Sequence, residues 1–336
     1  MCKPDLAVYD RNRCPKEGLD SSLVEFTIEF KTSPSQDPFR HENPNTMDAN
    51  PLINLEGKAS DTAGQVTSYA TMVLSSQYRT HAFSVLIIRD YARLIRWDRG
   101  GAIVTEPIYY VEESLLFEFL IRYDRANREI RGHDPTVGSP TTQEVQAART
   151  IEGLDKAKSF LVVTIEDPKA GEPRRFVIGG PSAQPEIPAG RWTRASIAYD
   201  VTRKTRVLLK DSWRVLLEGI EPEGDVYKNL SSQSVPSIAV CSLAGDVNNH
   251  KSRTHEFAKM YWQHHSAPQF IPHRHYRMVL DTIGRVLRDF KHSKDLISAM
   301  YASLLGKLAK IMRRILLTHI SQLIGLLARP VFSIAT

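Results

Sequence analysis

Cysteine is nearly absent from this chain: Cys2, Cys14 and Cys241 are the whole complement of 336 residues. Three thiols so widely spaced make neither a disulfide framework nor a C-x-x-C pair, so a reducing, intracellular compartment, cytoplasmic or nuclear, is expected. Long apolar runs are missing as well. No uninterrupted stretch reaches the roughly 18 residues that a membrane span needs, and the opening MCKPDLAVYDRNRCPKEG has no apolar core of a secretory signal. Acidic residues are scarce at one end only. Residues 291–336 hold seven Lys or Arg against the single acid Asp295, whereas residues 1–290 carry 37 charges of each sign. The net charge of +6 therefore belongs to the tail, and no specific nucleic-acid partner is expected from it.

What is present suits a globular protein. An apolar fraction of 42% and a charged fraction of 24% over this length allow two cores. Residues 1–22 are polar and read as disordered or irregular. LVEFTIEFK at 23–31 alternates as a strand does, and 32–58, rich in Pro, Asn, Ser and Asp, reads as a loop. A helix over 61–77 shows Val66, Tyr69 and Val73 on one face, strands follow at 82–88 and 91–97, and a second helix covers 112–126. Residues 131–159 read as linker and helix. Strands are expected at 160–165, 174–178, 196–200, 206–210 and 276–280, and a polar loop at 242–256.

The most informative stretch is GRWTRASIAYDVTRKTRVLLKDSWRVLLEGIEPEGDVYKNL, residues 190–230. Two strands and a basic turn lead to Lys210 at the end of an apolar run, and Glu223 then opens a helix with Val226, Tyr227 and Leu230 at helical spacing. Apolar strand, lysine, then a helix that begins with an acid is the order of parts in a protein-kinase small lobe. Together with DTAGQVTSYATMVLSSQYRTHAFSVLIIRDYARLIRWDRGGAIVTEPIYY, RGHDPTV and RHYRMVLDTIGRVL, these strings resemble the fungal-type protein kinase family, from about Glu29 to about Leu305.

The resemblance implies an α+β chain: an N-terminal mixed α/β domain over 23–130, then a kinase-like small lobe and hinge over 160–292. It also implies Ser/Thr phosphorylation from ATP, with Lys210 on the α/β-phosphates, Glu223 as its partner and Gly190 opening the phosphate loop. Leu280 takes the gatekeeper place, and the backbone from Asp281 to Ile283 faces adenine. The chain departs from the family at Trp192 and Ala195, where side chains would crowd phosphates that glycine lets the backbone approach. ATP contact is therefore expected to be weak or lost, and the sequence leaves Mg²⁺ open.

Where the family has Ile-Leu-His-Arg-Asp-Ile-Ser, this chain reads Ile315-Leu316-Leu317-Thr318-His319-Ile320-Ser321. Neither an Asp base nor a metal-binding Asn follows, so no catalytic residue is assigned, and the expectation is a truncated pseudokinase. Residues 293–336 read as a basic helical tail in place of the catalytic lobe. Within it, 304–316 could make weak contact with an anionic membrane surface or pack on the lobe. An unidentified protein partner is the other expectation, with the chain acting as a non-catalytic scaffold.

Two further patterns stand in the sequence. Glu29-Phe30-Lys31 ends a strand as E-x-K does in Mg²⁺-dependent nucleases, with Asp20 upstream, which makes a Mg²⁺-dependent nuclease-like domain built on Glu29 and Lys31 the third reading, with an inactive nuclease-like scaffold the more plausible form. His264, His265, His273 and His275 cluster around a Pro-rich segment, where a solvated loop outweighs a metal site.

Overall fold

A computed structural model describes residues 3–39, 53–54, 56–180, 187–258, 270–284 and 290–306. The chain divides into two compact units, residues 1–220 with 244–278, and residues 221–243 with 279–336.

The first unit contains two sheets. In one, β1 (Leu6–Tyr9), β2 (Val24–Lys31), β3 (Ala82–Ile88), β4 (Tyr91–Asp98) and β5 (Gly101–Val104) lie side by side in chain order. β1 corrects the expectation of an irregular start. Leu6, Ala7 and Val8 pair with Ile28, Thr27 and Phe26, so the hydrogen-bonding edge of β2 orders a segment whose polar surroundings hide it. β2 and β3 run parallel. A parallel pair needs a long crossover, and α1 (Gly57–Ser76) supplies it, burying Val66, Tyr69, Ala70, Val73 and Leu74 along one stripe. The second helix, α2 (Leu115–Arg125), starts three residues later than the sequence suggests and buries Leu116 and Tyr123.

The other sheet has seven strands. β6 (Val137–Gly138), β7 (Leu161–Ile165), β8 (Arg174–Ile178), β9 (Arg194–Asp200) and β10 (Thr205–Val215) form an antiparallel meander. β12 (His273–Leu280) lies beside β10, and β11 (Cys241–Lys251) is at the edge. α3 (Thr142–Arg149) is shorter than the helix expected there, and starts on a capping box made by Thr141 and Glu144. Three other boundaries differ from the sequence reading. β10 does not stop at Lys210 but continues to Val215, β12 starts at His273, and the expected polar loop at 242–256 is mostly β11. β11 carries polar residues because they have cross-strand partners: Asp246 accepts a two-pronged bond from Arg214, at 2.7 and 2.8 Å.

Both sheets of this unit share one apolar cluster. Val24, Leu86 and Trp97 of the first sheet and Val66 and Leu74 of α1 meet Trp192, just before β9, and Trp213 of β10. Arg194 of β9 strengthens the junction. Its guanidinium donates to the carbonyls of Leu74, of Ser75 at 3.1 Å and of Gln77 at 2.8 Å. A cation is favoured at this end of a helix, where carbonyls lack intrahelical partners.

In the second unit, α4 (Glu223–Ser232) begins at the residue expected from the sequence. The Asp281 amide donates to the Val240 carbonyl at 2.9 Å, and a helix, α5, covers 293–306. Among the described residues no helix is long and apolar enough to cross a membrane.

One backbone position tests the junction of strand and loop in the first unit. Gly132 has φ +98°, and a Cβ there would lie 2.1 Å from the His81 carbonyl oxygen. Its own carbonyl accepts the Thr80 amide at 2.8 Å, so the segment cannot simply retreat. Gly132→Ala is expected to cost at least about 2 kcal/mol, from the left-handed φ and the backbone clash together. Urea unfolding checks this, and a midpoint equal to the parent's would refute it.

Candidate nucleotide site and a buried polar network

Lys210 sits in the middle of β10, paired with Ala195 of β9, and is partly buried. Strand alternation sets it on the face opposite to Val207, Leu209, Asp211 and Trp213, which are buried. The strand, loop, strand, lysine strand and acid-led helix occur in the order that the family resemblance implies.

The phosphate-loop position is different from the expectation. Gly190 has φ +96°, and its amide donates to the Arg99 carbonyl at 2.9 Å. Arg191 offers its carbonyl to the Trp213 amide at 2.7 Å, so the segment runs on along β10. Trp192 is part of the core. Its side chain is 5% exposed and belongs to the apolar cluster, with the Arg99 guanidinium 4.0 Å from the ring centroid. Ala195 lies within β9 rather than in the loop.

In the second unit Glu223 opens α4 and Leu280 closes β12. Asp281 and Ile283 follow that strand, and Thr282 Oγ1 accepts the Val240 amide at 3.5 Å. Residues 285–289 of the hinge-like string, His264 and His265, and the tail beyond 306 lie outside the described residues. Leu304 and Leu305, the first members of the expected tail stripe, are exposed.

The nuclease pattern finds a plain ionic partner. Lys31 Nζ is 2.5 Å from Glu29 Oε1, and Glu29 Oε2 accepts the Asp5 amide at 3.3 Å. Asp20 is engaged with the Ser22 amide and hydroxyl in its own turn. The arginines on β4 and the turns at its two ends are mostly inside. Arg93 reaches Asp37 at 2.8 Å, Arg99 donates to the carbonyls of Pro188 and Arg79, and Arg96 pairs with Asp98; only Arg89 is exposed.

What sequence reasoning missed is a buried network on the inner face of β10 and β12. Arg277, which is 0% exposed, donates from Nε to Asp211 Oδ2 at 2.8 Å and from Nη2 to Asp134 Oδ2 at 2.6 Å. Nη1 reaches Thr136 Oγ1 at 2.6 Å and the Thr164 carbonyl at 3.2 Å. Burial alone would raise the Asp211 carboxyl, but His275 and Arg277 hold it far below the usual carboxylate range. His275 stacks on Trp213, with ring centroids 4.9 Å apart and planes 4° from parallel. Of the four histidines singled out, His275 belongs to this network, and His273 only turns Nδ1 toward the Ile271 carbonyl. The period-two alternation of HRHYRMVL could have shown that His275 and Arg277 share a face. Nothing in the sequence brings Asp134 to them.

A second network lies under a cavity of about 630 Å³ lined by Arg13, Gln77, Tyr78, Arg128, His133 and Asp134, among others. Glu25 accepts from Arg79 Nη2 at 3.3 Å, from the Tyr123 hydroxyl at 3.0 Å and from His133 Nε2 at 3.1 Å. Burial would raise its carboxyl, but the His133 bond, the Arg79 charge and the Tyr123 bond outweigh that and hold it at about 2. Burial lowers His133, so the neutral ring donates to Glu25 and turns Nδ1 to Arg128 Nη2 at 3.1 Å.

Comparison with known proteins decides the family. The family model described as fungal protein kinase matches residues 52–322, which is 271 of the 336 residues. The chain belongs to the fungal protein kinase family. The match begins after β2 and passes beyond α5 through the string at 315–321. No curated protein and no solved structure was found to match the chain. As a family member it has a kinase-like α+β fold, and Lys210, Glu223 and the 280–283 segment fall within the matched range.

Proposed function

We propose that this fungal protein kinase relative is a nucleotide-contacting pseudokinase: it meets ATP weakly through Lys210 and does not transfer phosphate on its own. The observation that carries the second half is the string Ile315-Leu316-Leu317-Thr318-His319-Ile320-Ser321, inside the family match, which supplies no Asp. Phosphoryl transfer depends on positioning and on metal-held charge, and the Asp that accepts the substrate hydroxyl's proton is part of that apparatus. The weak contact is supported by Gly190 and Trp192. The glycine's amide already serves the Arg99 carbonyl and the tryptophan is an anchor in the core, so the loop has fewer free amides to offer a phosphate.

The same two observations favour, as second reading, a scaffold that binds a protein partner and no nucleotide. Thermal unfolding with Mg-ATP separates them. A ligand at about five times its Kd adds about 1 kcal/mol, or roughly 2–4 °C for a domain of this size. The pseudokinase reading expects such a rise, its loss in Lys210→Met, and no label on a Ser/Thr peptide from γ-labelled ATP. An unchanged midpoint in the parent leaves the scaffold, and Lys210-dependent labelling of the peptide would overturn the loss of catalysis. The pairing of Glu29 with Lys31 gives the nuclease reading no support.

A further inference from the structure

We propose that Asp134, His250 and His275 form a binding site for a divalent transition-metal ion of the zinc class. One ligand atom from each of the three buried residues lies within 4.8 Å of the others. The site is separate from the proposed nucleotide contact and does not depend on it.

The tautomer of His275 is set by its neighbours. Nε2 lies 2.9 Å from Asp211 Oδ1, and an ionised carboxylate only accepts, so Nε2 carries the hydrogen and Nδ1 bears the lone pair. That lone pair is on the side of His250 Nδ1 at 3.1 Å and of Asp134 Oδ2 at 3.9 Å. A ring nitrogen that donates to a carboxylate while its partner nitrogen points at other ligands is the usual arrangement around a metal-bound histidine. Asp134 is oriented in the same way. Its Oδ1 accepts from the Thr136 amide and hydroxyl, at 2.9 and 2.5 Å, and its Oδ2 from Arg277.

The distances suit a small ion. Bonds of about 2.0–2.1 Å in a tetrahedral site place ligand atoms roughly 3.3 Å apart. The two imidazole nitrogens, 3.1 Å apart, are near that separation, and Asp134, 3.9 Å from His275 and within 4.8 Å of His250, has to approach both. Two imidazoles and one carboxylate suit zinc, cobalt or nickel rather than the all-oxygen shells of calcium or magnesium. Asp134 also lines the cavity of about 630 Å³. Among the described residues, Arg277 is the one guanidinium hydrogen-bonded to Asp134 and Asp211, so these two carboxylates carry one more negative charge than it offsets.

Without metal, the His250 and His275 planes are 9° from parallel with Nδ1 facing Nδ1, so the His250 Nδ1 hydrogen lies between them. On binding, that hydrogen moves to His250 Nε2 and the metal takes its place. The competing account is a hydrogen-bonded relay that holds no metal.

Titration of the chelator-treated full chain with Co²⁺, followed by visible absorption, distinguishes them. The expected result is one equivalent bound with the strong d–d bands of a four- or five-coordinate ion, displaced by Zn²⁺ and not by Mg²⁺. His250→Gln should weaken Co²⁺ at least about tenfold, and Asp211→Asn, by releasing the His275 ring, should weaken it by about 10–100-fold. A Co²⁺ spectrum no different from the aqueous ion in the parent would overturn the proposal, and so would binding unaltered in both His250→Gln and Asp134→Asn. The parent titration decides even if a variant fails to fold.

Discussion

Arg277→Met is expected to cost about 3–5 kcal/mol, because it leaves the Asp134 and Asp211 carboxylates buried without their shared cation. The guanidinium ties together three segments of the first unit: Asp211 on β10, Asp134 and Thr136 before β6, and the Thr164 carbonyl on β7. Methionine fills a similar volume, so the loss is electrostatic rather than a cavity. Lysine keeps the charge but not the planar fork, and Arg277→Lys should fall between the two. Urea unfolding at pH 7 measures this. A Met variant within about 1 kcal/mol of the parent would show that the two carboxylates find other partners, and the description of this network would be wrong.

Acid is expected to loosen the first unit at Glu25. Its folded pKa of about 2 lies below the ordinary 4.5, so the unfolded chain binds the proton more readily. Stability from this group is then fully present above about pH 5 and is lost as pH falls toward about 2. The difference amounts to about 3 kcal/mol at neutral pH, as an order of magnitude. Glu25 joins β2 to the tyrosine of α2 and to Arg79 and His133, so its protonation strains the contact of sheet and helix. Comparing thermal midpoints of the parent and Glu25→Gln from pH 7 to pH 2.5 isolates it from other carboxylates. The variant should be the less stable at neutral pH, with the gap closing in acid. A gap that stays constant across the range would remove Glu25 as the cause.

The elements that the sequence showed best are those whose pattern needs no distant partner. β2 alternates apolar and polar residues, α1 repeats its apolar residues along one stripe, and α4 starts at Glu223 after Pro222. Elements that depend on a neighbour were missed. β1 exists because the edge of β2 accepts it, and β11 stays polar because Arg214 and His275 face it. The candidate site followed the same division. The places of Lys210 on a strand and of Glu223 at the start of a helix were readable from local order, whereas the burial of Trp192 in the core was not.

Composition, the run of strands and helices, and the strings from 61 to 110 and 190 to 230 were enough to reach the fungal protein kinase family, because such patterns are local in the chain. Which charges lie inside was a matter of three dimensions. Asp134, Asp211, His250, His275 and Arg277 span positions 134 to 277, and no periodicity joins them. They meet because the sheet sets β10, β12 and β11 beside one another, and because buried charges persist only where partners and hydrogen bonds converge on them.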